Sequence, residues 1–211
     1  MSTLVHEVSK PTLLLAGFAV AGTLLLAGVH NLTAQQIAES ERLGLLKRIN
    51  TLVEASRYDN NPLEDKISLP PAELNSSEPV LVYRLRKQNQ PVAAIFTATT
   101  PDGYSGNIRL VVGVNADQTL AGVRVLTHKE TPGLGDWIDA EKSDWILGFS
   151  GKSLQNPKDT GWTVKKEGGE FDQFTGATIT PRAVVAAVKQ VLVWSEQHID
   201  TLYAPSTGAK P

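Results

Sequence analysis

Hydrophobic residues gather first in one uncharged run near the N-terminus. Residues 12–29 are dominated by Leu, Ala, Val and Gly, and they follow a short flank of residues 1–11. At about 1.5 Å per residue in a helix, the run reaches roughly 27 Å, close to the bilayer hydrocarbon thickness of about 30 Å. It therefore predicts a transmembrane helix over residues 12–29. A cleaved signal peptide is the alternative, although its apolar region usually has only about 7 to 15 residues.

The next segment, residues 30–78, is predicted to form a helical stalk and a connector. From residue 35 to about residue 57, apolar and charged positions recur at three-to-four spacing, which is typical of an amphipathic helix. The sequence Asn60-Asn61-Pro62 is expected to end that helix. Residues 60–79 are rich in proline and polar residues, so they predict an irregular connector.

Strand patterns begin after this connector. Residues 80–86 and 92–98 flank a polar turn, and residues 108–114 and 120–127 flank another, so the pattern predicts two β-hairpins. A further short strand is expected over residues 162–166. The third of the hairpin strands alternates apolar with other residues and predicts one buried sheet face, formed by Ile108, Leu110, Val112 and Val114.

A second helix is predicted near the C-terminus, over residues 183–198. Its apolar residues recur at three-to-four spacing and indicate one core-facing stripe, made of Val184, Val185, Val188, Val191, Leu192 and Ser195. The predicted fold class is therefore α+β: a twisted, largely antiparallel sheet with packed helices, preceded by one N-terminal transmembrane helix. We expect residues 79–203 to form the folded domain and residues 204–211 to be a flexible tail.

Composition narrows the possible functions. The 211 residues carry a formal net charge of −2 at pH 7, so there is no basic surplus that would indicate nucleic-acid binding. The chain has no cysteine, which excludes disulfides and thiolate-bound zinc or iron–sulfur clusters within it. Its four histidines are scattered, and none is spaced as a metal ligand, so no metal site is predicted.

Residues 172–182, which we call the threonine motif, read Asp-Gln-Phe-Thr-Gly-Ala-Thr-Ile-Thr-Pro-Arg. Thr180 suits the N-cap of the second helix, and Pro181 suits its first helical position, where no N–H is needed. Thr178 then lies just outside the positive end of the helix, where free backbone N–H groups and the helix dipole favour a phosphate. Taken alone, the motif is equally compatible with a helix start that is simply well capped.

The threonine motif resembles the flavinylation motif of the FMN-binding domain family, Asp-x-x-Ser/Thr-Gly-Ala-Thr-x-Ser/Thr. In that family FMN is joined through its phosphate to a threonine, which corresponds here to Thr178. The resemblance implies that Thr178 is the acceptor of covalent FMN, not a catalyst, and we predict no catalytic residue. The neighbouring residues expected to contact the cofactor are Thr175, Gly176, Ala177 and Thr180.

Residues 128–137, which we call the Pro-Gly loop, read His-Lys-Glu-Thr-Pro-Gly-Leu-Gly-Asp-Trp. Its proline and glycines favour a rigid loop with a bare backbone that can lie against a planar ring. We expect its glycine N–H groups to bond flavin ring atoms, and Leu134 or Trp137 to cover a ring face. The predicted contacts are Glu130, Thr131, Gly133, Leu134 and Gly135. An ordinary Pro-Gly turn is the alternative.

The two motifs, the apolar N-terminal run and Gly103-Tyr104-Ser105-Gly106 together resemble the RnfG family, the flavin-carrying subunits of the Rnf electron-transport complex. A related family belongs to the sodium-translocating NADH:quinone oxidoreductase, but Lys129 and the modest length favour the Rnf family. The resemblance implies a membrane-anchored electron carrier with covalent FMN in an ion-translocating NADH/ferredoxin oxidoreductase. It also implies partner subunits, a separate flavin transferase, and a bacterial inner-membrane location with the FMN domain in the periplasm.

Some alternatives stay open at this point. Lys10 precedes the apolar run, whereas Arg42, Lys47 and Arg48 follow it, so a bare charge count would place the domain inside. A long domain can be translocated regardless of such charges. A membrane-anchored scaffold without redox activity and a self-standing flavin reductase are competing functions. Covalent flavin would argue against the scaffold, and NADH oxidation by the isolated chain would favour the reductase.

Overall fold

The computed structural model describes residues 2–204, and the chain divides into two units, Met1–Lys47 and Arg48–Pro211. The first unit consists of most of helix α1, Ser2–Leu52. Within it, Leu14–Ala34 is long and apolar enough to cross a membrane. Two hydroxyls of this stretch bond back to the helix, Thr23 Oγ1 to the Ala19 carbonyl and Thr33 Oγ1 to the Val29 carbonyl, both at 2.8 Å. Both hydroxyls are therefore satisfied within the helix itself, as a membrane span requires.

The boundaries of α1 differ from the predicted ones. The predicted membrane span and stalk helix are parts of one continuous helix, and the helix ends at Leu52, not near residue 57. The chain turns extended at Glu54, with φ −56° and ψ 138°, and Ala55–Arg57 forms only a single 3₁₀ turn. Asn60-Asn61-Pro62 therefore lies beyond the end of the helix and does not terminate it.

The second unit is built on a five-stranded antiparallel meander in the order β1-β2-β3-β4-β5. The α+β class and both predicted hairpins are confirmed. The expectation that residues 60–79 are wholly irregular is wrong, because β1 and a 3₁₀ turn lie there; β1 has only four residues, too few for a clear alternation. The strands are β1 Lys66–Leu69, β2 Val80–Lys87, β3 Gln90–Gly103, β4 Gly106–Asn115 and β5 Leu120–Thr127.

Helix α2, Ile179–Gln197, packs on one face of this sheet, and a short helix α3, Ile199–Leu202, follows it. The predicted apolar stripe of α2 is buried. Phe96 on β3 meets Trp194 of α2 edge to face, with ring centroids 5.8 Å apart. Full burial of a side chain such as Phe96 is worth about 1.5–3 kcal/mol, so the many buried side chains of this face stabilise the domain.

The opposite face of the sheet is covered at one place by the end of α1. Ile49, Leu52 and Val53 are buried there. A Cβ built at Gly122, where φ is +153°, would lie 3.1 Å from Leu52 Cδ2, so the glycine leaves room for the leucine. The last turn of α1 is in this way part of the second unit.

Residues 128–178 connect the sheet to α2 largely through turns. The predicted strand over residues 162–166 is wrong, because this stretch holds a 3₁₀ turn, Lys165–Glu167, and a single bridge between Val164 and Phe171. The reason is tertiary: Trp162 is buried and donates its indole N–H to the Pro157 carbonyl at 3.1 Å. Residue 204 ends the described chain, so the tail predicted from there lies almost wholly outside the described residues.

Candidate functional site

A cavity of about 350 Å³ lies where the β3–β4 turn, the Pro-Gly loop and the start of α2 meet. This volume is in the range of small-molecule and cofactor sites, about 300–1,000 Å³. Its wall combines apolar side chains with hydroxyls and one carboxylate. The lining residues are Tyr104, Glu130, Thr131, Leu134, Gly135, Gly176, Ala177, Thr178, Ile179 and Thr180.

The threonine motif enters the cavity through a tight turn. The Ala177 N–H donates to the Phe174 carbonyl at 3.1 Å, and Gly176 in that turn has φ +79°, a conformation that favours glycine. Helix α2 begins at Ile179, so Thr178 occupies the N-cap position. Its carbonyl accepts a hydrogen bond from the Arg182 N–H at 3.3 Å.

The Thr178 side chain is half-buried on the cavity wall. It makes no capping hydrogen bond, and no hydrogen bond within residues 2–204 involves its hydroxyl. The hydroxyl therefore stands at the positive end of a 19-residue helix without a competing protein partner. A phosphoester on this oxygen would lie beside the free N–H groups of the first turn.

Thr180 does not cap the helix, contrary to the sequence-based prediction. It is fully buried within the first turn, and its hydroxyl donates to Glu130 Oε2. An N-cap hydroxyl would accept a hydrogen bond from a backbone N–H of the first turn, whereas the Thr180 hydroxyl is hydrogen-bonded to the carboxylate of Glu130. The residue still lines the cavity.

Two tryptophans hold the start of the threonine motif. Trp145 donates its indole N–H to the Asp172 carbonyl at 2.8 Å, and its ring meets Phe174 at 5.2 Å between centroids. Trp137 of the Pro-Gly loop lies 6.4 Å from the same phenylalanine. Sequence reasoning missed Trp145 because nothing local links it to a motif 27 residues later.

The Pro-Gly loop is closed by its own backbone. The N–H groups of Leu134 and Gly135 donate to the Thr131 carbonyl at 3.1 and 3.2 Å. The Gly133 N–H donates to Asp136 Oδ1 at 2.7 Å, and Gly133 has φ +78°. Both glycine N–H groups are therefore used within the loop, which contradicts the expectation that they bond a flavin ring.

Glu130 is the central polar group of the cavity wall. The Ser105 N–H, at the β3–β4 turn, donates to its Oε1 at 3.0 Å, and Thr180 donates to its Oε2. Its own N–H donates to His128 Nδ1 at 3.0 Å, so the proton of that ring is on Nε2, which faces Asp139 at 3.0 Å. One buried side chain thus joins the hairpin, the loop and α2.

Charged residues beside the threonine motif are paired with one another. Arg182 forms an ion pair with Glu167, and Lys165 forms one with Asp172 at 2.6 Å. A hydrogen bond from Thr163 and the Arg182 guanidinium lower the pKa of Glu167. These pairs are largely exposed, so each is worth little to stability.

The fold brings together eight of the ten predicted site residues. Thr175 and Gly133 belong to the same two loops but do not line the cavity, whereas Tyr104 and Ile179 line it without having been predicted. Tyr104, 69% exposed, lies in the Gly103–Gly106 turn, and that unusual Gly-Tyr-Ser-Gly sequence was the available signal. The predicted residues that line the cavity are Glu130, Thr131, Leu134, Gly135, Gly176, Ala177, Thr178 and Thr180.

The residues present suit FMN. Leu134 and Ile179, both about two-fifths exposed, offer apolar surface to a flavin ring. Tyr104 can stack beside it, because aromatic rings pair in offset or edge-to-face arrangements. Thr178 presents the hydroxyl and the helix terminus that a phosphate requires. Small residues at positions 176 and 177 leave space at the entrance.

Comparison with known proteins agrees with these features. Residues 103–193 match the family model described as FMN-binding domain, and residues 1–52 match the one described as RnfG N-terminal region. The G-type subunit of the ion-translocating oxidoreductase complex of Pseudomonas aeruginosa (strain UCBPP-PA14) is 48% identical over 201 residues, which cover 95% of this chain and 94% of the relative.

Relatives from other bacteria give the same result. The protein of the same name from Pseudoalteromonas atlantica is 44% identical, over 96% of this chain and 95% of the relative. The one from Vibrio cholerae serotype O1 is 44% identical, over 93% of this chain and 94% of the relative. Identity at this level over nearly the whole length shows that the chain belongs to the RnfG family of ion-translocating oxidoreductase complexes, with an FMN-binding domain at residues 103–193.

Proposed function

We propose that this protein is a membrane-anchored electron-transfer subunit that carries FMN covalently attached to Thr178. It acts within a multi-subunit ion-translocating NADH/ferredoxin oxidoreductase of the Rnf type and does not turn over alone. Membership of the RnfG family and the FMN-binding domain support the role in electron transfer. When bound, FMN supplies the redox chemistry, and the protein holds it and sets its distance from the next carrier.

The observation that carries the attachment site is the state of the Thr178 hydroxyl. It lies on the cavity wall at the N-cap of α2, and it has no hydrogen-bond partner within the described chain. The other two hydroxyls of the motif are less suitable. Thr180 is fully buried and bonded to Glu130, and Thr175 does not line the cavity.

The chain's own residues would bind the cofactor in three ways. The first turn of α2 stabilises the phosphate through its free N–H groups and dipole. Leu134, Ile179 and Tyr104 present apolar surface to the ring. Thr131 and Glu130 add polar groups to the cavity lining.

We further propose that α1 anchors the protein in the bacterial inner membrane by a single span and that the FMN domain faces the periplasm. Leu14–Ala34 is uncharged and long enough for this role. A separate flavin transferase attaches the FMN. Covalent attachment suits that compartment because FMN that dissociated there could not be replaced from cytoplasmic pools.

The decisive experiment is peptide mass spectrometry on the full-length protein produced together with a flavin transferase. The tryptic fragment of residues 167–182 should gain the mass of FMN less water, and fragment ions should place it on Thr178. Thr178→Val should abolish the modification, and Thr175→Ser, which keeps a residue that the motif allows three positions away, should not. An unmodified wild-type fragment, under conditions that modify a relative, would favour the scaffold function instead.

A further inference from the structure

Glu130 is a buried carboxylate on the wall of the cavity proposed for FMN. It is 4% exposed, yet it contributes to the cavity lining. Each oxygen accepts one hydrogen bond, Oε1 from the Ser105 N–H and Oε2 from the Thr180 hydroxyl. Both partners are neutral groups.

No ion pair within residues 2–204 involves Glu130. Of the neighbouring lysines, Lys142 pairs with Asp136, whereas Lys129 is exposed and forms no ion pair with Glu130. The His128 ring faces Asp139, and its Nδ1 accepts the Glu130 N–H. A buried charge is usually paired or coordinates a metal, and leaving one without a cation is costly. The arrangement therefore places at the cavity wall a buried carboxyl group that has no ion-pair partner among the described residues.

We propose that the Glu130 carboxylate lowers the reduction potential of the FMN in this cavity. This inference rests on the proposed function, because it requires FMN at Thr178. Two-electron reduction with uptake of one proton adds one negative charge to a flavin ring. A fixed negative charge nearby disfavours that gain, and the effect is large where burial limits screening by water.

A purely structural role for Glu130 must be separated from this electrostatic one. The side chain joins three segments, and glycines make space for it: a Cβ at Gly135 would lie 2.7 Å from its Oε2, and one at Gly103 would lie 2.9 Å from its Oε1. Losing the side chain altogether would therefore move the cavity wall. The informative substitutions keep its shape and change either the charge or the hydrogen bond.

Two variants make that separation. Glu130→Gln removes the charge, while the amide can still accept from Ser105 N–H and donate to the Thr180 oxygen. Thr180→Val keeps the charge and removes the hydroxyl with little change of shape. Each is made in the full-length, flavinylated protein, loading is verified by peptide mass, and the midpoint potential is measured by spectroelectrochemical titration.

At a fixed solution potential, we expect Glu130→Gln to raise the ratio of reduced to oxidised flavin by roughly five- to tenfold. This is the scale of one partly screened charge beside a cofactor. Thr180→Val should give a smaller shift, because the Glu130 carboxylate stays at the cavity wall. An unchanged potential in fully loaded Glu130→Gln would overturn the inference. So would an equal shift in Thr180→Val, since geometry would then be the cause.

A second variant tests the same inference if Glu130→Gln folds poorly. The double variant Glu130→Leu/Thr180→Val removes both partners of the buried hydrogen bond, which is often nearly neutral for stability. Only the Ser105 N–H loses its acceptor, at an exposed turn that water can reach. This variant should show the same upward shift in potential. If the wild type itself carries no FMN on Thr178, the proposed function has failed; if FMN is attached and the variants match wild type, only this inference has failed.

Discussion

The Gly133 backbone N–H donates a 2.7 Å hydrogen bond to Asp136 Oδ1, three residues later in the chain. Asp136 is only 2% exposed, and its other oxygen forms an ion pair with Lys142. The Lys142 ammonium, followed by the Gly133 N–H, holds the pKa of Asp136 below its ordinary value of 3.8. This carboxylate therefore fixes the tip of the Pro-Gly loop, from which Leu134 reaches the cavity.

Asp136→Asn should destabilise the protein in a pH-dependent way. Because the folded-state pKa is depressed, the charge contributes stability above pH 3.8, and this contribution is lost as pH falls through the lower folded-state pKa. The asparagine can still accept from Gly133 but cannot attract Lys142. The difference in unfolding free energy between wild type and variant should thus be largest near pH 7 and shrink toward pH 3.

Urea unfolding of the full-length protein in detergent, from pH 7 to pH 3, measures that difference. Lys142→Met serves as the matched control, since it removes the same ion pair from the other side and should give a similar profile. A wild-type advantage that stays constant over the whole pH range would contradict the ion-pair explanation and leave only a packing effect.

Gly135→Ala should distort the cavity by crowding two residues of its wall, Glu130 and Thr180. The added methyl would lie 2.7 Å from Glu130 Oε2 and 2.8 Å from Thr180 Oγ1, closer than such contacts normally occur. Overpacking of this kind typically costs about 1–3 kcal/mol. We expect a lower urea midpoint together with a lower yield of FMN on Thr178.

The control for that substitution is Gly148→Ala, where a Cβ would meet nothing within 4 Å and the backbone angle is ordinary. It should match wild type in both stability and FMN loading. If Gly135→Ala also behaves like wild type, the contact between the Pro-Gly loop and α2 is looser than the structure indicates.

The sequence predicted those elements of the fold whose apolar residues recur at a regular spacing. The strand alternation of Leu110 and Val112 and the helical stripe around Val188 are fixed by side-chain periodicity, so both hairpins and α2 could be read from the sequence. Strand β1 has four residues and pairs with β2, so its existence depends on pairing with the strand that follows the connector. No periodicity of its own marks it.

In the candidate site, too, the features set by local sequence were predictable, and those set by long-range contacts were not. Both loops were recognisable because proline, glycine and threonine have strong local preferences. The role of Thr180 was not, because its hydroxyl is taken by Glu130, 50 residues away, in place of the helix backbone. Likewise, the Gly133 N–H donates to Asp136. A glycine in the sequence therefore does not guarantee a backbone N–H that is available to a ligand.

Asp65→Asn should be strongly destabilising. Asp65 is buried between two arginines of β2: the Nε groups of Arg84 and Arg86 donate to its two oxygens at 2.7 and 2.8 Å. The asparagine keeps one acceptor oxygen, but its amide N–H₂ would face the other guanidinium. The only other acceptors of the two buried arginines within the described chain are the Tyr203 and Ala204 carbonyls. Removing one partner of a buried ion pair costs about 3–5 kcal/mol.

Urea unfolding at pH 7 compares that loss with an exposed pair. Glu78→Gln breaks the ion pair with Arg109, in which both side chains are nearly half exposed, and such pairs contribute about 0–1 kcal/mol. We expect Asp65→Asn to lower the unfolding free energy several times more than Glu78→Gln. Equal, small effects would mean that water reaches the Asp65 cluster.

Tyr203→Phe should leave stability unchanged or raise it by up to about 1 kcal/mol at pH 7, because it removes a buried polar atom that lacks a partner. The Tyr203 hydroxyl is buried without a hydrogen bond within the described chain, and burial raises its pKa to about 12. An unfolded tyrosine loses its proton near pH 10. As pH rises from 10 toward 12, the unfolded state therefore gives up a proton that the folded state keeps, and the wild type loses stability.

Phenylalanine cannot ionise, so the variant does not lose stability in this way. In urea unfolding, the free energy of unfolding of the variant minus that of wild type should therefore grow between pH 9 and pH 11. A difference that stays constant over this range would show that the folded protein ionises Tyr203 as readily as the unfolded chain does.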